Sequence, residues 1–391
     1  MHRLKNIVLY IFAKLFCLFP LKKYIIFESN SDFCDNSKAL YDYIIENNIA
    51  REYKLYWAVT DPKKYEKSDK YSMILKRFDF KKPFQSIKHL YVTTRAEYTF
   101  YTHMLVGNKY VKKQNRCFLM HGTSLKNLKN VYGNYFNDST HAIVTSEFTK
   151  KIHNETKNGI GKISHILGYP RNDKLFVDSE QKTSIKEMLG IKNIDKIIVW
   201  MPTFKQQKDS NRNDFGNNQN GFEIISGDNF NELNNKLKKN NTCLIIKLHP
   251  AQDLKYIDMK ESTNIVWLTN EDLYKKEIDT YSVMSISDAL ITDFSSVYTD
   301  YLLLDKPLGF ELSNIETYKK GLGFSVDNPL DYMPGAIIQN TQNLKDFIDD
   351  VLSNKDDYKK ERKKIKDLYH KYDDNNSSKR IVEFFGIGKE K

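Results

Sequence analysis

Two α/β domains, each a parallel sheet with helices over both faces, are what this sequence predicts, on three observations. The chain has 391 residues, too many for one ordinary core and enough for two domains of roughly 200 residues each. Short apolar runs alternate with helical patterns and no hairpin signal joins neighbouring runs, so consecutive strands need crossover connections. After residue 175 the alternation starts again, which sets a first domain over 23–175 and a second over 176–372, with a leading segment over 1–22 and a closing helix within 373–391.

Taken in order, Ile7–Phe19 is apolar apart from Lys14 and is flanked by Arg3, Lys5, Lys22 and Lys23. It is too short to span a bilayer and lacks a small-residue cleavage site, so it reads as an interfacial helix on anionic lipid. An uncleaved anchor or a packed core helix is the alternative. Tyr24–Phe27 is the first strand, and Asp35-Asn36-Ser37 is placed to cap a helix from Lys38 to Asn47. Lys54–Val59 and Tyr98–Tyr101 are strands, with Ser86–Tyr91 helical between them. Arg116–Met120 is a strand that delivers His121-Gly122-Thr123 to its carboxyl end, where open α/β sheets bind ligands. Thr123 or Ser124 would cap a helix starting at Leu125. His141–Val144 and Ile163–Leu167 are strands around a helix over Ser146–Glu155.

In the second half, Thr183–Leu189 is helical and Lys196–Met201 is a strand running into Pro202-Thr203-Phe204-Lys205. Gln206–Gly221 is too rich in Asn, Gln, Asp and Gly to pack a core and is expected to be a mobile surface loop. A helix over Asn229–Lys239 precedes the strand Thr242–Leu248, which ends in His249-Pro250. Asn264–Leu268 is a strand and Tyr281–Ser287 a short helix. Ala289–Thr292 is a buried strand followed by a polar turn, a helix of about two turns, and a further apolar run after Lys306-Pro307. Ser295 and Ser296 stand where that helix begins, a place that suits a phosphate as well as an ordinary cap. Leu344–Leu352, Asp356–Tyr372 and Ser377–Phe385 are helical, the last capped by Ser377 or Ser378.

The formal net charge of +11 suits an anionic partner such as nucleotide phosphate, a phospholipid surface or a polyanionic polymer, although Lys-rich, Asn-rich composition is a duller cause. No zinc-finger or RNA-binding signature is present, so nucleic acid is not an expected partner. Cys17, Cys34, Cys117 and Cys243 have no paired spacing, which fits a reducing cytoplasm. There is no Asp-x-Asp pair and no His-Glu-x-x-His, so a locally bound metal is not indicated and no tightly held cofactor is expected; a Mg²⁺ requirement stays open. Among nine histidines, His121 and His249 each follow a buried strand and precede a backbone-special residue, Gly122 or Pro250.

Met-His-Gly-Thr-Ser-Leu-Lys (120–126), Gly-Tyr-Pro-Arg-Asn-Asp (168–173), Met-Pro-Thr-Phe-Lys (201–205), Lys-Leu-His-Pro (247–250) and Thr-Asp-Phe-Ser-Ser-Val (292–297) occur in one order. Together with the opening around Asp35-Asn36-Ser37-Lys38 and the closing helix, they resemble the CDP-glycerol glycerophosphotransferase family of teichoic acid and capsule synthesis. The resemblance implies a GT-B architecture, two Rossmann-like domains with parallel sheets facing a central cleft. It also implies transfer of glycerol phosphate or ribitol phosphate from CDP-glycerol or CDP-ribitol to a hydroxyl of an undecaprenyl-diphosphate-linked saccharide, with release of CMP at the cytoplasmic face of the membrane. Catalysis would fall to His121 and His249. Donor contacts would come from Met120, Gly122, Thr123, Ser124, Arg171, Pro202, Thr203, Lys247, Leu248, Ser295, Ser296 and Asp300. The sequence departs from the family's usual pattern at Ser124, Lys247 and Phe294, where Pro, Arg and Tyr are common.

An imidazole that titrates near neutrality suits removal of a hydroxyl proton, so His121 is the expected general base. His249, with Lys247, Arg171 and the seryl pair, would hold the diphosphate and offset charge on departing CMP. Lys205 and Lys306 read as solvated lysines that add charge only if they face the site. Asp300, one helical turn after Ser296, could bind a donor hydroxyl or have a surface or capping role. A GT-B glycosyltransferase using a nucleotide sugar would share the sheet layout, and a non-catalytic, lipid-docked binder of anionic polymer would share the charge.

Overall fold

The computed structural model describes residues 11–65, 71–79, 86–103, 105, 113–127, 139–156, 160–204, 222–313, 315–320 and 323–388. The chain divides into two compact units. The first takes Met1–His121, Val131–Asp173 and Asp374–Lys391, and the second Gly122–Asn130 and Lys174–Asp373. The closing segment therefore joins the first unit, while a short piece after His121 joins the second.

The first unit holds a seven-stranded sheet of β1 (Lys22–Glu28), β2 (Lys54–Val59), β3 (Ser72–Lys76), β4 (Ala96–Tyr101), β5 (Asn115–Phe118), β6 (His141–Val144) and β7 (Ser164–Ile166), in the order β3-β2-β1-β4-β5-β6-β7. Every pairing is parallel. Because helices cover a parallel sheet on both faces, its central strands are apolar throughout, and Ile25, Ile26 and Phe27 are fully buried. Phe27 stacks on Trp57 and Phe100 at centroid distances of 5.6 and 5.9 Å. Trp57 is 0% exposed, and truncating such a ring to Ala costs about 3–5 kcal/mol.

The second unit holds a six-stranded sheet of β8 (Lys196–Met201), β9 (Thr242–Lys247), β10 (Ile265–Leu268), β11 (Ala289–Thr292), β12 (Leu308–Glu311) and β13 (Ala336–Ile338), in the order β10-β9-β8-β11-β12-β13. These pairings are parallel too. Its core joins Ile198, Trp200, Leu244, Ile246 and Ile291 to Phe230, Leu233 and Leu237 of the helix Asp228–Lys239 and to Phe347, Ile348 and Val351 of the helix Thr341–Leu352. In both sheets the first strand lies inside, with the next two to one side and the rest to the other. The order of winding thus reverses between β1 and β4 and between β8 and β11, and the crevice beyond those strand ends is where such sheets take ligands.

Several expected caps are made differently. The first helix runs Asp35–Glu46, and Cys34 occupies its cap position with no side-chain cap. Asn36 and Ser37 lie inside its first turn and are 0% exposed, because their side chains reach other strands instead. The Ser37 hydroxyl donates to Glu28 O at 2.9 Å. The closing helix Ser377–Phe385 is capped by Asp173, which accepts from both the Ser377 and Ser378 N–H groups at 2.8 Å. No helix begins at Leu125, since Lys126 forms an antiparallel bridge with Phe324 and Ser325 N donates to Leu125 O at 2.8 Å. The expected loop over 206–221, and residues 7–10 of the leading helix, lie outside the described residues. The part that is described is helical over 11–16, with Phe16 against Tyr91 at 5.3 Å and Ile11, Leu15, Leu18 and Phe19 exposed. Among the described residues no helix is long and apolar enough to cross a membrane.

Candidate active site

In the first unit, β5 ends at Phe118 and the chain turns sharply, with Met120 at φ 60° and Gly122 at φ 115° on either side of His121. Two groups fix this turn. The Asn36 amide donates to Leu119 O at 2.9 Å and Met120 O at 3.0 Å, and its oxygen accepts from Arg171 N at 3.1 Å. The His121 ring, half-buried, has Nδ1 3.1 Å from Thr102 O. A carbonyl only accepts, so Nδ1 carries the proton and Nε2 keeps its lone pair.

Arg171 is 7% exposed and pairs with Asp35, 2.7 Å from Nη1 to Oδ1, with its guanidinium 5.5 Å from the Tyr169 ring. Asp173 of the same motif serves the closing helix, and burial raises its carboxyl above the usual range despite the Ser378 and Ser377 hydrogen bonds. Gly168, at φ 84°, lets the backbone pass the Ser377 side chain, where a Cβ would sit 2.4 Å from Oγ. Much of Gly168–Asp173 is therefore structural.

In the second unit, the ends of β9, β8 and β11 stand side by side and bring Lys247–His249, Pro202-Thr203 and Asp293–Ser296 to one edge. Asp293, 2% exposed, ties the edge together: it accepts from Thr203 N at 2.7 Å, Thr203 Oγ1 at 2.6 Å and Ser295 N at 2.9 Å. The ammonium of Lys126 donates to Thr203 Oγ1 at 3.1 Å and lies 5.7 Å from the Tyr318 ring. Thr299 Oγ1 donates to Ser296 O at 2.7 Å and lies 3.4 Å from Thr123 O. Thr123, Thr203, Ser295 and Ser296 are thus gathered at the winding reversal of this sheet. Gly122, Ser124 and Pro202 are half-buried beside them.

Ser296 does occupy a helix cap position, but no side-chain cap is made, and the helix is only Val297–Tyr301 followed by a 3₁₀ turn over Leu302–Leu304. What the half-buried seryl pair offers is hydroxyls rather than a long helix dipole. His249 is exposed, 5.0 Å from the Phe204 ring, and its Nδ1 accepts from Ala251 N at 3.1 Å. Its proton therefore sits on Nε2, the opposite tautomer to His121. Lys247, 3% exposed, donates to Leu248 O at 2.7 Å and Asn270 Oδ1 at 2.5 Å, and Leu248 is buried behind it.

Asp300 is 0% exposed and accepts from Tyr281 Oη at 2.6 Å, so it is not a surface carboxylate. Lys306 is not a solvated lysine at this edge either. It lies at the amino edge of the same sheet, its ammonium on Ser287 O, beside a cavity lined by Lys182 and Lys186. Burial lowers its pKa to about 8. Lys205 lies outside the described residues. Among the described residues no group of three or more His, Cys, Asp or Glu side chains is placed to hold a metal ion.

Four residues of this geometry escape the sequence reading. Asn36, Lys126 and Asp293 sit inside motifs already quoted, but their partners are 83, 77 and 90 residues away. His103, whose ring stacks on His121, follows β4 as His121 follows β5, so the strand-end criterion could have found it.

The chain has relatives among known proteins. The chain is 27% identical over 93% of its length to a teichoic acid poly(glycerol phosphate) polymerase of Bacillus spizizenii, of which it covers 91%. It is 25% identical over 96% of both chains to a teichoic acid glycerol-phosphate transferase of Staphylococcus aureus. It spans only 45% of the poly(glycerol phosphate) polymerase of Bacillus subtilis, at 27% identity. Among solved structures, a variant of the wall teichoic acid polymerase TagF soaked with CDPG superposes with TM-score 0.77 at 23% identity over 98% of this chain and 95% of that one. Anabaena HepE in complex with UDP and glucose gives TM-score 0.52 at 10% identity over 93% and 99%. These likenesses give the fold, the GT-B type with two parallel sheets. The family model matches residues 11–385, nearly the whole sequence, and the chain belongs to the CDP-Glycerol:Poly(glycerophosphate) glycerophosphotransferase family.

Proposed function

We propose that this transferase moves glycerol phosphate, or ribitol phosphate, from its CDP-linked donor to a hydroxyl of an undecaprenyl-diphosphate-linked saccharide, releasing CMP. The observation that carries the reading is the opposite setting of two imidazoles. His121 donates its Nδ1–H to Thr102 O, which makes Nε2 the basic nitrogen, while His249 accepts Ala251 N–H at Nδ1, which puts its proton on Nε2. One ring is set to take a proton and the other to give a hydrogen bond.

In the step itself, the acceptor oxygen attacks the phosphorus that bears the polyol and forms the new P–O bond. Its proton passes to His121 Nε2. The P–O bond to CMP breaks with its electron pair on the departing phosphate oxygen, where His249 Nε2–H offsets the charge. The hydroxyls of Ser295 and Ser296, on a turn that Asp293 fixes through the Ser295 N–H, suit the donor's diphosphate, while the Thr203 hydroxyl donates to Asp293 and braces the turn beside them. Arg171 and Lys247 would add charge on exchanging an internal partner for phosphate.

The exposed Ile11, Leu15 and Leu18 recur at helical spacing, and Lys14 lies on the same short helix with Lys22 and Lys23 just beyond it. That pattern supports a peripheral setting on an anionic membrane at its cytoplasmic face, where a lipid-linked acceptor shares the surface. The test is to offer purified protein CDP-glycerol, CDP-ribitol and UDP-glucose with a lipid-linked saccharide and follow CMP against UDP. Acceptor-dependent CMP release is expected; UDP release without CMP from either CDP-polyol would overturn the reading.

A further inference from the structure

The ring of His103 lies flat against that of His121, with centroids 4.6 Å apart and planes 16° from parallel. The residue before it, Thr102, supplies the carbonyl that accepts the hydrogen bond from His121 Nδ1–H. One dipeptide just past the end of β4 therefore touches the same imidazole at an edge and on a face. The register makes this natural: β4 and β5 are paired up to Tyr101 and Phe118, so the residues beyond both strand ends emerge as neighbours.

The dipeptide is itself well held. Thr102 is 0% exposed, its N–H donates to Glu28 O at 3.3 Å, and its hydroxyl lies 3.1 Å from His103 Nδ1. Thr102 sits where the winding of the first sheet reverses, between β1 and β4, and the two rings lie beside it past the ends of β4 and β5. A hydrogen bond to Nδ1 fixes the tautomer of His121 but not by itself the plane of the ring, since χ2 of His is a broad torsion and the Phe118 ring meets it edge-on at 6.5 Å. A flat partner on its face removes that freedom. The two contacts do different jobs: the Thr102 carbonyl sets which nitrogen is basic, and the His103 ring sets where that nitrogen points.

We propose that His103 is a positioning residue that fixes the plane of His121, so that Nε2 meets the hydroxyl it deprotonates. The proposal rests on the reading of His121 as the general base. It requires of His103 a flat ring, not a charge or a proton, so Phe should replace it and Ala should not.

The experiment compares His103→Ala and His103→Phe in the full chain, after circular dichroism has shown both folded. With CDP-glycerol and acceptor, His103→Ala should lose between about tenfold and a hundredfold in kcat, because a loosely held group misses its near-attack geometry. KM for the donor should stay within about twofold, and His103→Phe should keep kcat within about threefold of the parent. Nitrogen-15 spectra of labelled histidine give a readout free of turnover. His121 should keep its Nδ1–H tautomer in all three chains, because the Thr102 carbonyl stays in place, with ring signals that are sharp in the parent and in His103→Phe and broadened by ring motion in His103→Ala. Equal loss in both variants, or normal kcat with an unchanged spectrum in His103→Ala, would overturn the proposal. A parent that releases no CMP but shows the stated spectral changes would discard the reaction and keep the clamp.

Discussion

Replacing Asn36 by Asp would put an oxygen where the turn before His121 needs two donors. Asn36 is 0% exposed and reaches Leu119 O and Met120 O at 2.9 and 3.0 Å while accepting from Arg171 N. Asp preserves shape and the one acceptor but turns a carboxyl oxygen on two carbonyls. Each buried carbonyl that loses its donor costs about 1–3 kcal/mol, so the two come to about 2–6 kcal/mol at neutral pH. That is a large share of the ~5–15 kcal/mol that holds a domain. The two carbonyls disfavour the ionised form and raise the carboxyl above its unfolded value of about 3.9, so native protein holds a proton that unfolded chain has released. Stability is then greatest below the unfolded value and falls as pH rises through the folded one. In Asn36→Ala the deficit is similar but flat with pH. Urea unfolding at pH 5 and pH 8, with hydrogen exchange read over Asn115–His121, separates the two variants. Protection equal to the parent for Asn36→Asp at pH 8 would refute the reasoning.

Other outcomes follow from the same geometry. His121→Ala should cut CMP release at least about a hundredfold with the fold intact by circular dichroism, and near-normal turnover would discard its role. Burial lifts Glu28 from 4.5 to about 7 in the folded chain, against the opposing pull of Arg77. Its contribution is present below the unfolded value and fades between pH 4.5 and 7, about 3 kcal/mol in all, and urea midpoints of Glu28→Gln should lack that slope. Burial lowers both His141 and His165, each of which contacts Phe384 of the closing helix, at 5.8 and 4.4 Å. Their neutral forms support the fold above the unfolded value of about 6.5, and that support is lost as pH falls below it, so amides of the closing helix should exchange faster at pH 5 than at pH 7. A chain beginning at Leu21 should sediment less with anionic liposomes than the full chain, and equal partitioning would remove the membrane reading.

Continuous apolar runs made much of the fold legible: Lys196–Met201, His141–Val144 and Ala289–Thr292 are strands at the expected residues. Elements that lack such a run were missed. β3 (Ser72–Lys76) is an edge strand with exposed Met73, β13 spans three residues, and the helix Asn270–Lys275 is charged and mostly exposed. The strand-end histidines were legible because each follows an apolar run, but their tautomers were not, since Thr102 O lies 19 residues from His121. Nor were the jobs of Asn36 and Asp293, for polar groups that pair across a sheet edge leave no local pattern.

The first unit takes its last helix from the far end of the polypeptide. Until Ser377 and Ser378 emerge from the ribosome, Asp173 has no amides to receive, and the Phe385 ring is missing from its edge contacts with Tyr98, Phe100 and His141. All strands of the second sheet are synthesised before that happens, so a nascent chain can finish its later-made half first and complete the earlier-made half last. Premature termination shortly after Asp373 would then leave an aromatic flank uncovered, and such chains are expected to aggregate rather than merely lose activity.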